Sequence, residues 1–271
     1  MSLKKHIKIA KQNTIITPRL YGWLNQHSDG VKVHDPEIME KVTRILTGPE
    51  KDRSGSFHPS QLYQCPRLQV FEFYGLPGPS KAYNPTLQNL FNDGHFRHLR
   101  WQIMLLSAGI ISDIEVSIAS PEFRLTGSMD GVNREEGWMF ELKGTSQYSS
   151  VLSKGVMPAH VKQVHAYLHA SGLDKAVVVY ECKSSQQWTE FEVSKDPEII
   201  AEIEGILTVL NRAIDTDVLP EPLDDCKNRK GAFLRCKYAS SCLGFNNASE
   251  VRAELPASRR VAEAGTPTSG D

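Results

Sequence analysis

Residues 127–144 read Gly-Ser-Met-Asp-Gly-Val-Asn-Arg-Glu-Glu-Gly-Trp-Met-Phe-Glu-Leu-Lys-Gly, and this stretch decides the fold. Two runs of strand-type residues flank the turn sequence Arg134–Gly137. The pattern therefore predicts a β-hairpin built from strands at 123–133 and 138–143.

The predicted hairpin gathers two acids and a lysine. Glu141 and Lys143 are two residues apart, so they share one face of their strand, and folding back at the turn brings Asp130 beside Glu141. Neighbouring carboxylates repel unless a cation lies between them, and Mg²⁺ or Mn²⁺ takes oxygen ligands of this kind. The Leu142 carbonyl is a further candidate ligand, and Lys143 can orient an attacking water. The alternative is three unrelated side chains on a solvated strand.

The elements around the hairpin indicate a layered α/β fold. Strand patterns and helix patterns alternate along the chain, which favours a mixed central β-sheet flanked by helices. The predicted helices start at Asp35-Pro36-Glu37 and Asp196-Pro197-Glu198 and cover 60–65, 86–108 and 158–170, and the further strands lie at 114–118, 176–181 and 188–193.

Three regions follow from this order. Residues 1–53 are an N-terminal arm and helix, in which the basic stretch before Asp29 is either a solvated arm or a phosphate-contacting extension. Residues 54–245 form the main domain, and residues 246–271 read as a disordered tail.

Composition excludes several classes of protein. Lys and Arg number 31 and Asp and Glu 32, so the net charge of −1 rules out a histone-like polycation. No apolar run is long enough for a transmembrane helix, and the basic N-terminus lacks the apolar segment of a secretory signal. We therefore expect a cytoplasmic protein with no membrane partner, in which cysteines stay reduced.

Two helical patterns add polar candidates. His98 follows Gly94 by four residues, on the helix face that carries Leu87, Leu90, Phe91, Trp101 and Leu105. That face is predicted to be buried, so His98 is either a hydrogen-bonded core residue or a metal ligand, with His95 as the competing ligand. Gln163 and Tyr167 are four apart and share one face of the helix after the hairpin.

The cysteines are unevenly placed. Cys226, Cys236 and Cys242 fall in a single seventeen-residue stretch that is rich in Lys and Arg. Cys65 stands alone, 161 positions before Cys226. Cys182 ends a predicted strand and fits plain packing. A four-thiolate site favours an iron–sulfur cluster or zinc, and burial without metal is the alternative. The basic residues around the trio either meet phosphates or form a solvated face.

The ordered motifs resemble the RecB-like branch of the PD-(D/E)xK nucleases. The matching steps, over about residues 54–245, are Gly94/His98, Gly127/Asp130, Glu141/Lys143 and Gln163/Tyr167, with Met129 where the superfamily name has proline. The resemblance implies a restriction-endonuclease-like core in which His98, Asp130, Glu141 and the Leu142 carbonyl bind Mg²⁺ or Mn²⁺. It also implies that Lys143 is catalytic and that Gln163 and Tyr167 steady the site and the DNA strand.

The cysteine pattern is similar to that of the CRISPR-associated RecB-like exonucleases and AddB-type nucleases. There a [4Fe–4S] cluster joins the two ends of the domain, and the order here implies Cys65, Cys226, Cys236 and Cys242 as its ligands, with structural Zn²⁺ as the alternative. The Cys-x5-Cys spacing at the end matches, while the nine residues between Cys226 and Cys236 exceed the usual two.

We therefore expect a divalent-metal-dependent DNA exonuclease that acts on single-stranded ends in recombination, repair or CRISPR-type processing. The alternatives are a DNA-end-binding accessory module of a recombination or spacer-acquisition complex, and an RNA-directed nuclease. The sequence has no Gly-x4-Gly-Lys-Ser/Thr phosphate loop, so a helicase or recombination partner would be a separate chain.

Overall fold

The computed structural model describes most of the chain between residues 12 and 256. The described ranges are 12–27, 35–49, 52–78, 84–231, 234 and 236–256. The predictions for residues 1–11 and 28–34 of the arm, and for residues 257–271 of the tail, lie outside them.

A five-stranded mixed sheet forms the centre of the fold, as the sequence predicts. Its strands lie in chain order and are β1 (Asp113–Ser120), β2 (Leu125–Asn133), β3 (Trp138–Thr145), β4 (Lys175–Cys182) and β5 (Trp188–Ser194). The β3–β4 pair is parallel and the other three pairs are antiparallel. The crossover from β3 to β4 passes through helices, as a parallel connection requires.

Helices cover both faces of the sheet. They are α1 (Ile16–Gln26), α2 (Pro36–Thr47), α3 (Pro66–Phe73), α4 (Pro85–Ser107), α5 (Tyr148–Lys154), α6 (Pro158–Ser171), α7 (Pro197–Thr216), α8 (Asp224–Lys227) and α9 (Ala248–Ala253). Within the described residues, none of these helices is both long and apolar enough to cross a membrane.

The hydrophobic core is divided by the sheet. On one side Met139 packs with residues of α3, α6 and α7, and on the other Phe140 and Leu142 pack with α1 and α4. Strand β3 is therefore buried on both faces, which explains why its sequence is almost continuously apolar around Glu141.

Residues 16–26 of the basic stretch, expected to be a solvated arm or a phosphate-contacting extension, form helix α1 and pack on the sheet. Ile16 and Leu20 are fully buried against the sheet. The Glu190 carboxylate on β5 accepts hydrogen bonds from the amides of Ile16 (2.9 Å) and Thr17 (2.7 Å). A distant acid thus satisfies the free N–H groups that begin the helix, and local sequence carries no sign of it.

Helix α4 corrects the predicted apolar face. Leu87, Leu90 and Phe91 are exposed, whereas Trp101 and Leu105 are buried as expected. The buried residues of α4 all lie between positions 97 and 105, in the second half of the helix. Only this half of α4 packs against the core, so the apolar residues of its first half remain exposed despite their helical spacing.

Several boundaries also differ from the predictions. Phe123 lies in a 3-10 turn before β2, and β3 extends to Thr145, two residues beyond the predicted end at 143. A 3-10 turn at Pro59–Gln61 replaces most of the predicted 60–65 helix, and α3 begins after it at Pro66 with Cys65 as its N-cap residue.

The end of the chain also carries structure that was not expected. Helix α9 lies within the segment predicted to be a disordered tail, and its Ala248 and Val251 are buried.

Candidate active site

The candidate site lies where strands β2 and β3 part. The two strands pair over three residues each, from the Asn133–Trp138 pair near the turn to the Gly131–Phe140 pair, where the ladder ends. Beyond it, the buried Asp130 carboxylate accepts the Leu142 N–H at 2.7 Å. A side chain has replaced the next ladder bond, so the two carboxylates of the hairpin come together as predicted.

Glu141 and Lys143 form the centre of the site. Lys143 Nζ donates to Glu141 Oε1 at 2.6 Å and to Gln163 Oε1 at 2.9 Å. Gln163 Nε2 in turn donates to Glu141 Oε1 at 2.9 Å. The three side chains close a ring of hydrogen bonds between β3 and α6, so Gln163 lies beside the acid–lysine pair.

His98 joins this cluster from α4. Its Nδ1 lies 3.2 Å from Asp130 Oδ1, and its side chain is 33% exposed rather than buried. The competing candidate His95 lies on an exposed part of the same helix. Of the two histidines, His98 is therefore the one that meets the acids.

Tyr167 borders the site on α6. Its ring lies against Gly127, and Pro59 packs on the same spot. Burial, followed by the charge of Glu141, raises the pKa of Tyr167. The residue is thus a neutral, buried wall of the site.

The charges of the cluster perturb one another. Burial and then the Asp130 charge raise the pKa of Glu141 to about 7. Burial would also raise the pKa of Asp130, but His98, Lys143 and the Leu142 amide outweigh it and the pKa falls below its ordinary value. Burial opposes the cationic form of Lys143, yet the two carboxylates hold its pKa above the usual range.

The donor set fits a hard divalent cation. Glu141 Oε2 is buried and has no hydrogen-bond partner. Two carboxylates, one of which carries this unpartnered oxygen, and an imidazole are ligands that Mg²⁺ or Mn²⁺ accepts. Among the described residues, no group of three His, Cys, Asp or Glu side chains is arranged so that it could bind a metal ion without moving. The acids of the site bond instead to His98, Lys143, Gln163 and the Leu142 amide, so these side chains would have to move to bind a divalent ion.

Sequence reasoning missed two polar residues beside Asp130. Gln102 on α4 donates to the Asp130 carbonyl at 2.9 Å and to Glu115 on β1, also at 2.9 Å. Neither belongs to a motif recognised in the sequence. The signal that could have identified Gln102 was its place on the helix face predicted to be buried, where an amide side chain needs hydrogen-bond partners.

The four predicted cysteine ligands lie in one region. Burial, followed by the charges of Cys65 and Cys236, raises the pKa of Cys226. Burial raises the pKa of Cys242 to about 11; Arg67 opposes this shift, and the other three thiols add to it. The thiols therefore lie within electrostatic range of one another, although among the described residues no three of them have metal-binding geometry. Cys182 is separate, as predicted, and is buried at the end of β4.

Arg67 ties the two ends of the domain together at this point. Its guanidinium donates to the carbonyls of Pro220 (3.2 Å), Cys242 (3.0 Å) and Phe245, while its Nε is buried and has no hydrogen-bond partner. Among the basic residues near the cysteines, Lys237 pairs with Glu72 at 2.5 Å.

No protein-family model and no curated protein matches the sequence. Among solved structures, the chain is similar to the alkaline exonuclease LHK-Exo of Laribacter hongkongensis, at 16% identity and a TM-score of 0.46, over 60% of this chain and 90% of that one. The LHK-Exo complex with dAMP gives 0.47 at the same identity and coverage.

A phage-related exonuclease of Haemophilus somnus 129PT gives a TM-score of 0.44 at 10% identity, over 59% of this chain and 94% of that one. SSO0001 gives 0.42 at 16% identity, over 84% and 96%. The case for a function therefore rests on the residues of the site.

Proposed function

We propose that this protein is a divalent-metal-dependent nuclease that hydrolyses phosphodiester bonds. The observation that carries the proposal is the meeting of two groups at the open end of the β2–β3 hairpin. One is the hydrogen-bonded ring of Glu141, Lys143 and Gln163. The other is Asp130, which pairs with His98 and accepts the Leu142 N–H. Such a concentration of buried charge is costly to stability and is typical of catalytic sites.

His98, Asp130 and Glu141 would hold Mg²⁺ or Mn²⁺, with the Leu142 carbonyl as a fourth protein ligand. The bound ion supplies a Lewis acid that lowers the pKa of water and neutralises charge on the phosphate. The structure supports this assignment through the unpartnered Glu141 oxygen and through the raised pKa of Glu141 beside Asp130.

Lys143 is the residue placed to act on the attacking water or on a phosphate oxygen. Its ammonium is charged and is held between Glu141 and Gln163. A fixed cation stabilises negative charge that develops in the transition state. Gln163 holds both partners in place, and Tyr167 limits water on the α6 side.

The preference for DNA, and for single-stranded ends, rests on the resemblance to RecB-like nucleases. We test it with one end-labelled strand, offered as single-stranded DNA, as duplex DNA and as RNA. The proposal expects degradation of the DNA strand with Mg²⁺ or Mn²⁺ and none with a chelator, and the product ladder gives the polarity. Tight DNA binding without products would favour the end-binding accessory module, and cleavage of RNA alone would favour the RNA-directed nuclease.

We also propose that Cys65, Cys226, Cys236 and Cys242 hold a [4Fe–4S] cluster, with structural Zn²⁺ as the alternative. The gathering of the four thiols in one region supports it, and so does the buried Arg67 Nε, a donor suited to a sulfur acceptor. Because no three of the described cysteines have metal-binding geometry, cluster binding would draw their side chains together. Such a cluster would join Cys65 to a segment that begins 161 positions later at Cys226, and so stabilise the domain. Analysis of anaerobically purified protein for iron, sulfide and zinc decides between the two metals.

A further inference from the structure

Glu115 has an unusual backbone conformation for the middle of a strand. Its φ is 48°, in the left-handed region that a side-chain-bearing residue rarely adopts. The register of β1 with β2 pairs Ile114 with Gly131 and Val116 with Met129, and it passes over the position where Glu115 faces Asp130. Strain of this kind persists only where the surroundings enforce it, and it is concentrated at functional sites.

Two neutral donors hold the Glu115 carboxylate. Gln102 Nε2 donates to Oε1 at 2.9 Å, and Ser128 Oγ donates to Oε2 at 2.9 Å. Gln102 is only 1% exposed, and the same amide nitrogen donates to the Asp130 carbonyl at 2.9 Å. One buried amide therefore joins the Glu115 carboxylate to the backbone of Asp130.

The backbone of Asp130 depends on this contact. The β2–β3 ladder ends one residue away, at Gly131, and the β1–β2 register passes over Asp130. Hydrogen bonds that involve side chains replace ladder bonds at this residue. The Gln102 amide donates to the Asp130 carbonyl, and the Asp130 carboxylate accepts the Leu142 N–H.

We propose that Glu115 is a positioning residue of the nuclease site, which acts through Gln102 to fix the backbone of Asp130 and thereby to aim its carboxylate. This inference rests on the proposed function. The left-handed conformation lets the Glu115 side chain reach Gln102, and this contact offsets the strain.

The test compares Glu115→Gly, Gln102→Met and their double variant with wild type. Glu115→Gly removes the carboxylate and also relieves the backbone, so its melting temperature should equal or exceed that of wild type. We expect each single variant to weaken binding of Mn²⁺, titrated calorimetrically without DNA, by roughly tenfold or more. We expect the double variant to be no worse than either single, because the two residues act along one path.

Ser128→Ala is the matched control. It removes the other hydrogen bond of Glu115 and leaves the Gln102 contact, so Mn²⁺ affinity should stay within about twofold of wild type.

Two results would overturn the role of Glu115: Mn²⁺ affinity near wild type in both single variants, or losses that multiply in the double variant. If Gln102→Met does not fold, Glu115→Gly against Ser128→Ala decides. A wild type that binds Mn²⁺ but cuts no nucleic acid overturns the nuclease, while the Mn²⁺ comparison still decides the role of Glu115. A wild type that binds no Mn²⁺ overturns both.

Discussion

Gly127 on β2 lies so close to Tyr167 on α6 that a Cβ at position 127 would be 2.9 Å from Tyr167 Cε1. It would also lie 3.1 Å from Pro59 Cδ. The glycine that precedes Asp130 and the tyrosine that follows Gln163 are therefore packing partners. Two motifs that are separate in sequence make one wall of the site.

Gly127→Ala should destabilise the protein and disturb the site. The added methyl group forces Tyr167 or Pro59 to move, at a cost of about 1–3 kcal/mol in the free energy of unfolding. Denaturant unfolding measures the loss, and the cleavage rate should fall with it because Tyr167 is one turn from Gln163.

Gly205→Ala on α7 is the control for that variant. Nothing lies within 4 Å of a Cβ there, so alanine should stabilise the helix by about 0.5–1 kcal/mol. Equal stability of the two alanine variants would show that the contact between positions 127 and 167 is not tight.

Glu190→Ala should release helix α1 from the sheet. The carboxylate is almost fully buried and binds the amides of Ile16 and Thr17, so its removal leaves helix-end donors without a partner. We expect a loss of roughly 3 kcal/mol or more in unfolding free energy and faster proteolysis within α1.

Glu192→Ala, two residues along the same strand, is its control. Glu192 is partly exposed and its carboxylate makes a 3.8 Å ion pair with Lys175, so its loss should cost at most about 1 kcal/mol. Proteolysis of α1 at the wild-type rate in Glu190→Ala would contradict the capping role.

His160 should make stability depend on pH. Burial, with Lys143 second, lowers the pKa of His160 to about 4, and its Nδ1 lies 2.7 Å from the Tyr180 hydroxyl. An unfolded histidine titrates near about 6.5, so between these two values the unfolded chain binds a proton that the folded chain excludes. Stability therefore falls as the pH drops from about 6.5 towards 4.

The variant His160→Gln lacks this titration. Between about pH 7.5 and 4.5, wild type should lose about 2–3 kcal/mol more unfolding free energy than the variant does. Parallel pH profiles of the two proteins would show that His160 is not held neutral.

Cys65→Ala should remove the bound metal. Cys65 is one of four proposed ligands, so its replacement leaves an incomplete metal site. The iron or zinc content of the purified protein should therefore drop, and the melting temperature of the protein should drop as well. Cys182→Ala, outside the group, should retain full metal content. Equal metal content in both variants would exclude Cys65 as a ligand.

The sheet was predictable because its signals are local. The strand pattern around the turn at 134–137 fixed the hairpin, and its period of two put Glu141 and Lys143 on one face. Helix α1 was not predictable, since its N-terminus is held by Glu190, more than 170 residues away. A cap made by tertiary contact has no counterpart in the neighbouring sequence.

The candidate site divides in the same way. Motif spacing identified Asp130, Glu141, Lys143 and Gln163, because each lies at a fixed step along a strand or helix. The positions of Glu115 and Gln102 could not be predicted from sequence. They depend on the left-handed backbone of Glu115 within β1 and on the packing of α4 over Asp130. The apolar pattern also predicted a buried His98, whereas its side chain is 33% exposed, because it turns toward Asp130 rather than into the core.

The most direct measurement of the central claim is the rate of metal-dependent cleavage of end-labelled single-stranded DNA by wild type, Glu141→Ala, Lys143→Ala and Glu135→Ala. Glu135 is an exposed acid in the turn of the same hairpin and serves as the control. We predict that the first two variants fold but lose at least about a hundredfold in rate, while Glu135→Ala keeps the wild-type rate. Cleavage at the wild-type rate by folded Glu141→Ala or Lys143→Ala would contradict the account.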